Sequence, residues 1–299
     1  MKNTETAQGG RASSTTEIAA REAITGRRKG IKALIPFLGP AFISSVAYLD
    51  PGNFATNIQS GSQFGYKLLW VALLANLMAM LLQNMSAKLG IASGRNLPEL
   101  CRDYCPKWLS VIMWIGSEIA AMATDVAEFL GATLAIHLLF GTPMLLACLI
   151  TGIVTYLILQ MEQKGFRPLE KKFIAAFALF IGLCYLAETV LSRPNLGQVA
   201  YHSVVPWLGG RESIMLAVSV IGATVMPHAL YLHSNLTKDR VVPRNGREAE
   251  KIQEFSSKEI IIAMALAGFV NISMMYMPRP PSTLPETMKS RTSRQPTRR

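Results

Sequence analysis

Charge is what this sequence has least of. Of its 299 residues, 16% are Asp, Glu, Lys or Arg, where soluble domains carry about a quarter. The scarcity is uneven: residues 33–66 contain one ionisable acid or amine, Asp50, and residues 68–87 contain none. Runs of this kind exclude an ordinary soluble surface and can cross a bilayer, which needs roughly 20 mostly apolar residues per helix. Cysteine is also sparse, and the four present form no disulfide framework. Cys148 and Cys184 lie in apolar runs, where a thiol behaves as a small buried hydrophobe. Cys101 and Cys105, with Asp103 between them, sit in a short basic loop that could hold a metal or a disulfide, but without further partners they read as free thiols. No nucleophile, base and orienter are spaced for catalysis, so an enzyme is not expected. The polar stretch before the first apolar run is too long for a signal-peptide n-region, and no small-residue cleavage site follows it.

What charge there is leans basic, with a net +11 and a pI near 9.7. In a soluble protein that balance would suggest nucleic acid. Here the basic residues stand between apolar runs, so the expected partner is the lipid bilayer, with no nucleic acid. Apolar runs at 33–65, 68–87, 108–140, 144–159, 173–191, 213–233 and 259–277 give seven expected spans. Threading them alternately from a cytoplasmic N-terminus gathers three loops on the inner side. These are the loops carrying Lys88, Arg95, Arg102 and Lys107, then Lys164, Arg167, Lys171 and Lys172, then Lys238, Arg240, Arg244, Arg247 and Lys251. Agreement across every loop is what the positive-inside rule requires. Nothing in the sequence sets an oligomeric state.

Three regions follow. Residues 1–32 are expected to form a disordered cytoplasmic tail, 33–277 the transmembrane domain, and 278–299 a disordered basic tail. That last tract holds five prolines and five arginines on the side where other loops are poor in positive charge. It reads as the end of a chain cut short or shifted out of frame.

The first apolar run is longer than one span needs and carries Asp50-Pro51-Gly52-Asn53 at its middle. Pro removes a backbone donor and clashes with the preceding turn, and Gly adds freedom, so the helix is expected to unwind there. Such backbone survives at membrane depth only against protein or a watery cavity. A buried aspartate costs about 2.5–3.5 kcal/mol on insertion scales, so it faces a partner or an ion. The plainer reading is that Asp50 caps the second half-helix. The sixth run repeats the device at Gly222-Ala223-Thr224-Val225-Met226-Pro227-His228. Paired interrupted segments are the best sequence pointer to a transport site near the midplane. The third run carries Glu118, Asp125 and Glu128, whose spacings of seven and three place them on one helical face.

With these residues in view, the chain resembles the Nramp family of proton-coupled divalent metal transporters, of the bacterial manganese-transporter type. The resemblance rests on Asp50-Pro51-Gly52-Asn53, on Met226-Pro227-His228 and on Thr124-Asp125-Val126-Ala127-Glu128-Phe129-Leu130-Gly131, and runs over residues 32–277. It implies an all-α polytopic membrane protein with a LeuT-like fold of two inverted repeats, helices 1 and 6 being unwound and the second repeat incomplete. It implies that Asp50 and Asn53 give side-chain oxygens, Met226 a sulfur and Ala223 a backbone carbonyl to the metal. Glu118, Asp125, Glu128 and His228 would serve the proton route, with His233 further along it and Gln83 close to the site. The implied cargo is Mn²⁺ or Fe²⁺ with H⁺, with no resident cofactor, and the implied location is the bacterial inner membrane.

The donor set agrees on chemical grounds. Oxygens with a thioether suit Mn²⁺, Fe²⁺, Co²⁺ or Cd²⁺, and a soft sulfur is a poor ligand for Ca²⁺ and Mg²⁺. Members of the family carry further helices beyond these seven, so the chain on its own is expected to be unstable or inactive. A non-functional transporter remnant and a cation-coupled symporter of an organic solute are the alternatives.

Overall fold

The computed structural model describes residues 15–163 and 167–276. The expected Pro/Arg tail at 278–299 lies outside the described residues. Among those described there is no strand, as lipid demands of a single chain that must satisfy its backbone within each segment.

The N-terminal region departs from expectation. Inside the stretch read as disordered, Thr15–Ile24 forms helix α1. Its Ala, Glu and Arg residues are good helix formers, Arg21 and Glu17 pair one turn apart at 2.9 Å, and Ala20, Ala23 and Ile24 are buried against Phe37, Ile91, Val241 and Ile252. The polar composition hid a helix whose buried face is mostly alanine.

The first apolar run is cut twice. Helix α2 (Ile31–Leu34) passes through a 3₁₀ turn, Ile35–Phe37, to a bend at Gly39, beyond which α3 (Pro40–Val46) and a second 3₁₀ turn, Ala47–Leu49, lead to Asp50. The two arms meet at 65°. Gly39 has φ 151°, open only to glycine, and Pro40 starts α3. Beyond Asp50 runs α4 (Pro51–Phe64), then α5 (Leu69–Ser93), the short α6 (Leu97–Tyr104), α7 (Lys107–Phe140), α8 (Met144–Gln163), α9 (Arg167–Ser192) and α10 (Leu196–Val204). The second break separates α11 (Arg211–Thr224) from α12 (Pro227–Lys238), and α13 (Gly246–Tyr276) completes the described chain.

By length and apolarity, four helical stretches among the described residues can cross a membrane, or five if the bent pair at 31–49 is one span. Met144–Gln160 and Phe180–Ser192 are apolar but shorter. The core lies where α13 and α5 pack along α3, α4 and α12. Small residues permit the close approach: a methyl on Gly61 of α4 would collide with the Met275 backbone carbonyl of α13, and one on Gly90 of α5 with the Ser234 carbonyl of α12. Helix α7 is the opposite case, with 6% of its most apolar window buried against 67% for α13. Its apolar surface faces outward.

Three basic segments gather at one end. Lys251 Nζ donates to Ile24 O at 2.7 Å, and Arg21 pairs with Glu248 at 3.8 Å. Helix α6 opens on a capping box between Asn96 and Glu99, and Lys238 of α12 reaches Glu99 at 3.3 Å. The Asn96 N–H and then the Lys238 ammonium hold the Glu99 carboxyl below the usual carboxylate range. At the other end Trp70 donates to Trp207 O at 3.2 Å, and Lys67 lies 4.6 Å over the Trp207 ring.

Candidate metal site

Both breaks follow from a proline that cannot donate. In a continuous helix the N–H of residue 51 would bond Ala47 O, and that of residue 227 would bond Ala223 O. Pro51 and Pro227 have no N–H, so both carbonyls are released. Asp50 adopts an extended backbone and its carboxylate caps α4, accepting from Gly52 N and Asn53 N, each at 3.1 Å. The capping role is therefore real, and the same carboxylate also takes part in a larger cluster.

Asn53, fully buried in the first turn of α4, ties the two breaks together. Its Nδ2 donates to Asp50 Oδ1 at 2.6 Å and to Ala223 O at 3.1 Å. Its Oδ1 accepts from Thr224 Oγ1 at 2.9 Å. A methyl on Gly52 would lie 3.8 Å from Ala223 Cβ, which measures how closely the two unwound stretches approach. Met226, 4% exposed at the start of α12, packs in the cluster that holds Tyr48, Ala79 and Ala229. Three of the four expected ligand residues thus share one hydrogen-bonded cluster, and the fourth lies buried at the same break.

A second polar chain runs beside it. Gln83 of α5 donates to Tyr48 OH at 3.0 Å, and its Oε1 meets His233 Nδ1 at 2.5 Å. His233 is fully buried, and its Nε2 has no hydrogen-bond partner among the described residues. Helix α7 reaches the first break where Gly131 lies against the Pro51 ring. Glu128 there stands within electrostatic reach of Asp50, Asp125 and His228. Glu118 does not join them. It lies ten residues, roughly 15 Å, along α7 from Glu128 and accepts from Trp114 Nε1 at 3.1 Å.

Sequence reasoning missed Thr224, Tyr48 and Glu259. Thr224 and Tyr48 neighbour the motifs but carry no signal that separates them from packing residues. Glu259, 1% exposed on α13, accepts from Gly39 N at 2.5 Å and Ala41 N at 3.1 Å, capping α3 across the molecule. Arg240 donates to Pro36 O at 3.0 Å and Leu38 O at 2.6 Å. The bend at Gly39 is thus held from two elements distant in sequence.

Among the described residues no three His, Cys, Asp or Glu side chains converge as a metal group. Any cation here would meet one carboxylate and neutral donors. That cluster sits inside residues 41–278, which match the family described as natural resistance-associated macrophage protein-like, Nramp. The chain belongs to the Nramp family. Among its Nramp relatives are the divalent metal cation transporters MntH of Burkholderia ambifaria, 54% identical over 261 residues, and Bacillus subtilis, 48% identical over 259. Those alignments cover 87% of this chain in both cases, and 59% and 61% of the relatives. The Eremococcus coleocola manganese transporter, solved with an aromatic bis-isothiourea compound, superposes with a TM-score of 0.72 at 35% identity. The match covers 84% of this chain and 53% of that one. The chain therefore spans little more than half the length of these Nramp proteins.

Proposed function

We propose that the two breaks form the binding site of a proton-coupled importer of divalent transition-metal ions, Mn²⁺ and Fe²⁺ among them. The observation that carries this reading is Asn53, whose amide group joins Asp50 of the first break to Ala223 O of the second. Its Nδ2 stands between a carboxylate and a released carbonyl, where a cation would find the same two oxygens. Turning the amide would bring Oδ1 inward as a third. Met226 supplies the thioether that favours transition metals over Ca²⁺. Family membership, and the names of the relatives, support the same cargo and set aside the organic-solute symporter.

Protons would use Glu128 with Asp125 and His228, the acidic and imidazole groups within its electrostatic reach as Asp50 also is, with His233 further along α12 and Glu118 toward one end of α7. A metal dication entering this field would meet the Asp50 carboxylate, and protons leaving nearby carboxyl groups would offset its charge. The chain would lie in a bacterial inner membrane with its N-terminus and basic loops in the cytoplasm.

Calorimetric titration of the purified chain with Mn²⁺ and Ca²⁺ tests the reading. Mn²⁺ should bind and Ca²⁺ should not. Asp50→Ala should abolish Mn²⁺ binding, and Met226→Ala should lose the discrimination against Ca²⁺ more than it loses Mn²⁺. Full Mn²⁺ affinity in Asp50→Ala would refute the site.

A further inference from the structure

Cys101 and Cys105 play no part in the site between the breaks. They stand one turn apart at the end of α6, both half-buried and both free, with Cys105 N bonded to Cys101 O at 3.0 Å. The Cys105 thiol lies within hydrogen-bonding reach of the Cys101 thiol. Residues at this spacing have Cβ atoms about 5–6 Å apart, wider than the roughly 3.5–4.5 Å a disulfide takes. An S–S bond would require the last turn to unwind. An ion bonded to both sulfurs spans the gap with the helix intact.

The neighbours decide which ion. Asp103 is ion-paired with Arg95, and Glu99 is held by Asn96 N and Lys238. No third His, Cys, Asp or Glu joins the pair among the described residues. Structural Zn²⁺ takes four protein ligands in a tetrahedron, and Mn²⁺ prefers oxygen. Two thiolates alone suit a soft ion content with few ligands. We infer that Cys101 and Cys105 form a two-thiolate site for such an ion, Cu⁺ in preference to Zn²⁺ or Mn²⁺, at the basic end of the molecule.

Binding replaces two S–H protons by one cation: Cu⁺ and two thiols give a dithiolate–Cu⁺ complex of charge −1 and two H⁺, with no change of oxidation state. Helix α6 also docks on α12, the second half of the second break, through Leu97 N to Ser234 Oγ at 3.0 Å and through Lys238 to Glu99. The ion would therefore sit on an element in contact with the helix that starts at Met226.

The test uses the full chain in detergent under reducing, anaerobic conditions, with Cu⁺ buffered by a coloured chelator. One Cu⁺ per chain should bind. Cys101→Ser and Cys105→Ser should each weaken it about a hundredfold, the loss expected when a two-point attachment becomes one. Cys184→Ser should leave Cu⁺ affinity unchanged, which ties the ion to the pair on α6. Bound Cu⁺ should also protect Cys101 and Cys105 from iodoacetamide while the exposed Cys184 still reacts. Undiminished Cu⁺ affinity in the folded double-serine chain, displacement by equimolar Zn²⁺ or Mn²⁺, or alkylation as fast with Cu⁺ as without would each overturn the inference.

Discussion

The Asn53 side chain has three hydrogen bonds, and metal binding would not treat them alike. The two donated by Nδ2 go to groups that would become ligands, so a cation replaces them. The one accepted by Oδ1 comes from Thr224, whose single hydroxyl proton also has Val220 O within reach at 2.7 Å in its own helix. If Asn53 turns Oδ1 toward the metal, the Thr224 bond exists only in the metal-free state. Removing it then has opposite consequences for folding and for binding. Thr224→Val should cost about 0.6–1.7 kcal/mol of stability, the range of interhelical hydrogen bonds in lipid, and leave Mn²⁺ affinity equal or higher. Asn53→Ala should weaken Mn²⁺ by about tenfold or more, since it deletes a ligand worth at least 1.4 kcal/mol. Thermal unfolding in detergent and Mn²⁺ calorimetry on both variants check the pair. Parallel losses of affinity would show that Thr224 holds Asn53 in its binding orientation instead.

Helices here pack by backbone approach, because lipid provides little hydrophobic drive between helices. Gly61 is where α4 meets α13, and its missing side chain is filled by a carbonyl that cannot move as a side chain would. Gly61→Ala should cost about 1–3 kcal/mol as an overpacking substitution. Gly116→Ala on α7, where an added methyl meets nothing within 4 Å, should be neutral or stabilising through helix propensity. Unfolding temperatures of the two variants give the comparison, and equal destabilisation would contradict the packing argument. The same contrast explains what could be read from sequence. The breaks were legible because Pro and Gly act on their own helix: Pro51 and Pro227 release carbonyls four residues back whatever surrounds them. The caps at Gly39 and Ala41 were not legible, because their acceptor Glu259 is more than two hundred residues away and nothing local to α13 marks it. Helix α1 was hidden for a different reason, its buried face being alanine in a stretch of polar composition. Among the candidate site residues, Asp50, Asn53 and Ala223 could be grouped from two local motifs. The distance of Glu118 from Glu128 follows from their ten-residue spacing, roughly 15 Å along α7, whereas the approach of α7 to the first break could not be read, since it depends on how Gly131 packs against Pro51.

At the scale of the molecule, charge and fold give independent statements about orientation. Alternate threading assigns the basic loops to one side on composition alone. The fold then brings α1, α6 and the segment joining α12 to α13 together at one end, through Lys251 with Ile24, Lys238 with Glu99, and Arg240 with Pro36 and Leu38. The aromatic cluster of Trp70, Trp207 and Phe64 lies at the other. Helix α5 joins the two ends with 25 residues, roughly 37 Å. That exceeds the ~30 Å of hydrocarbon, so the ends should emerge on opposite faces of the bilayer. If the proposed inward placement of the basic end is right, Cys101 and Cys105 face the cytoplasm and the exposed Leu208, next to Trp207, faces outward. A membrane-impermeant maleimide should then label Cys101 and Cys105 in inverted vesicles and not in intact cells. In a chain whose native cysteines are serine, Leu208→Cys should show the reverse. Labelling of both positions from one side would mean that α5 does not cross the membrane, and reversal of both would turn the whole map over while leaving the fold untouched.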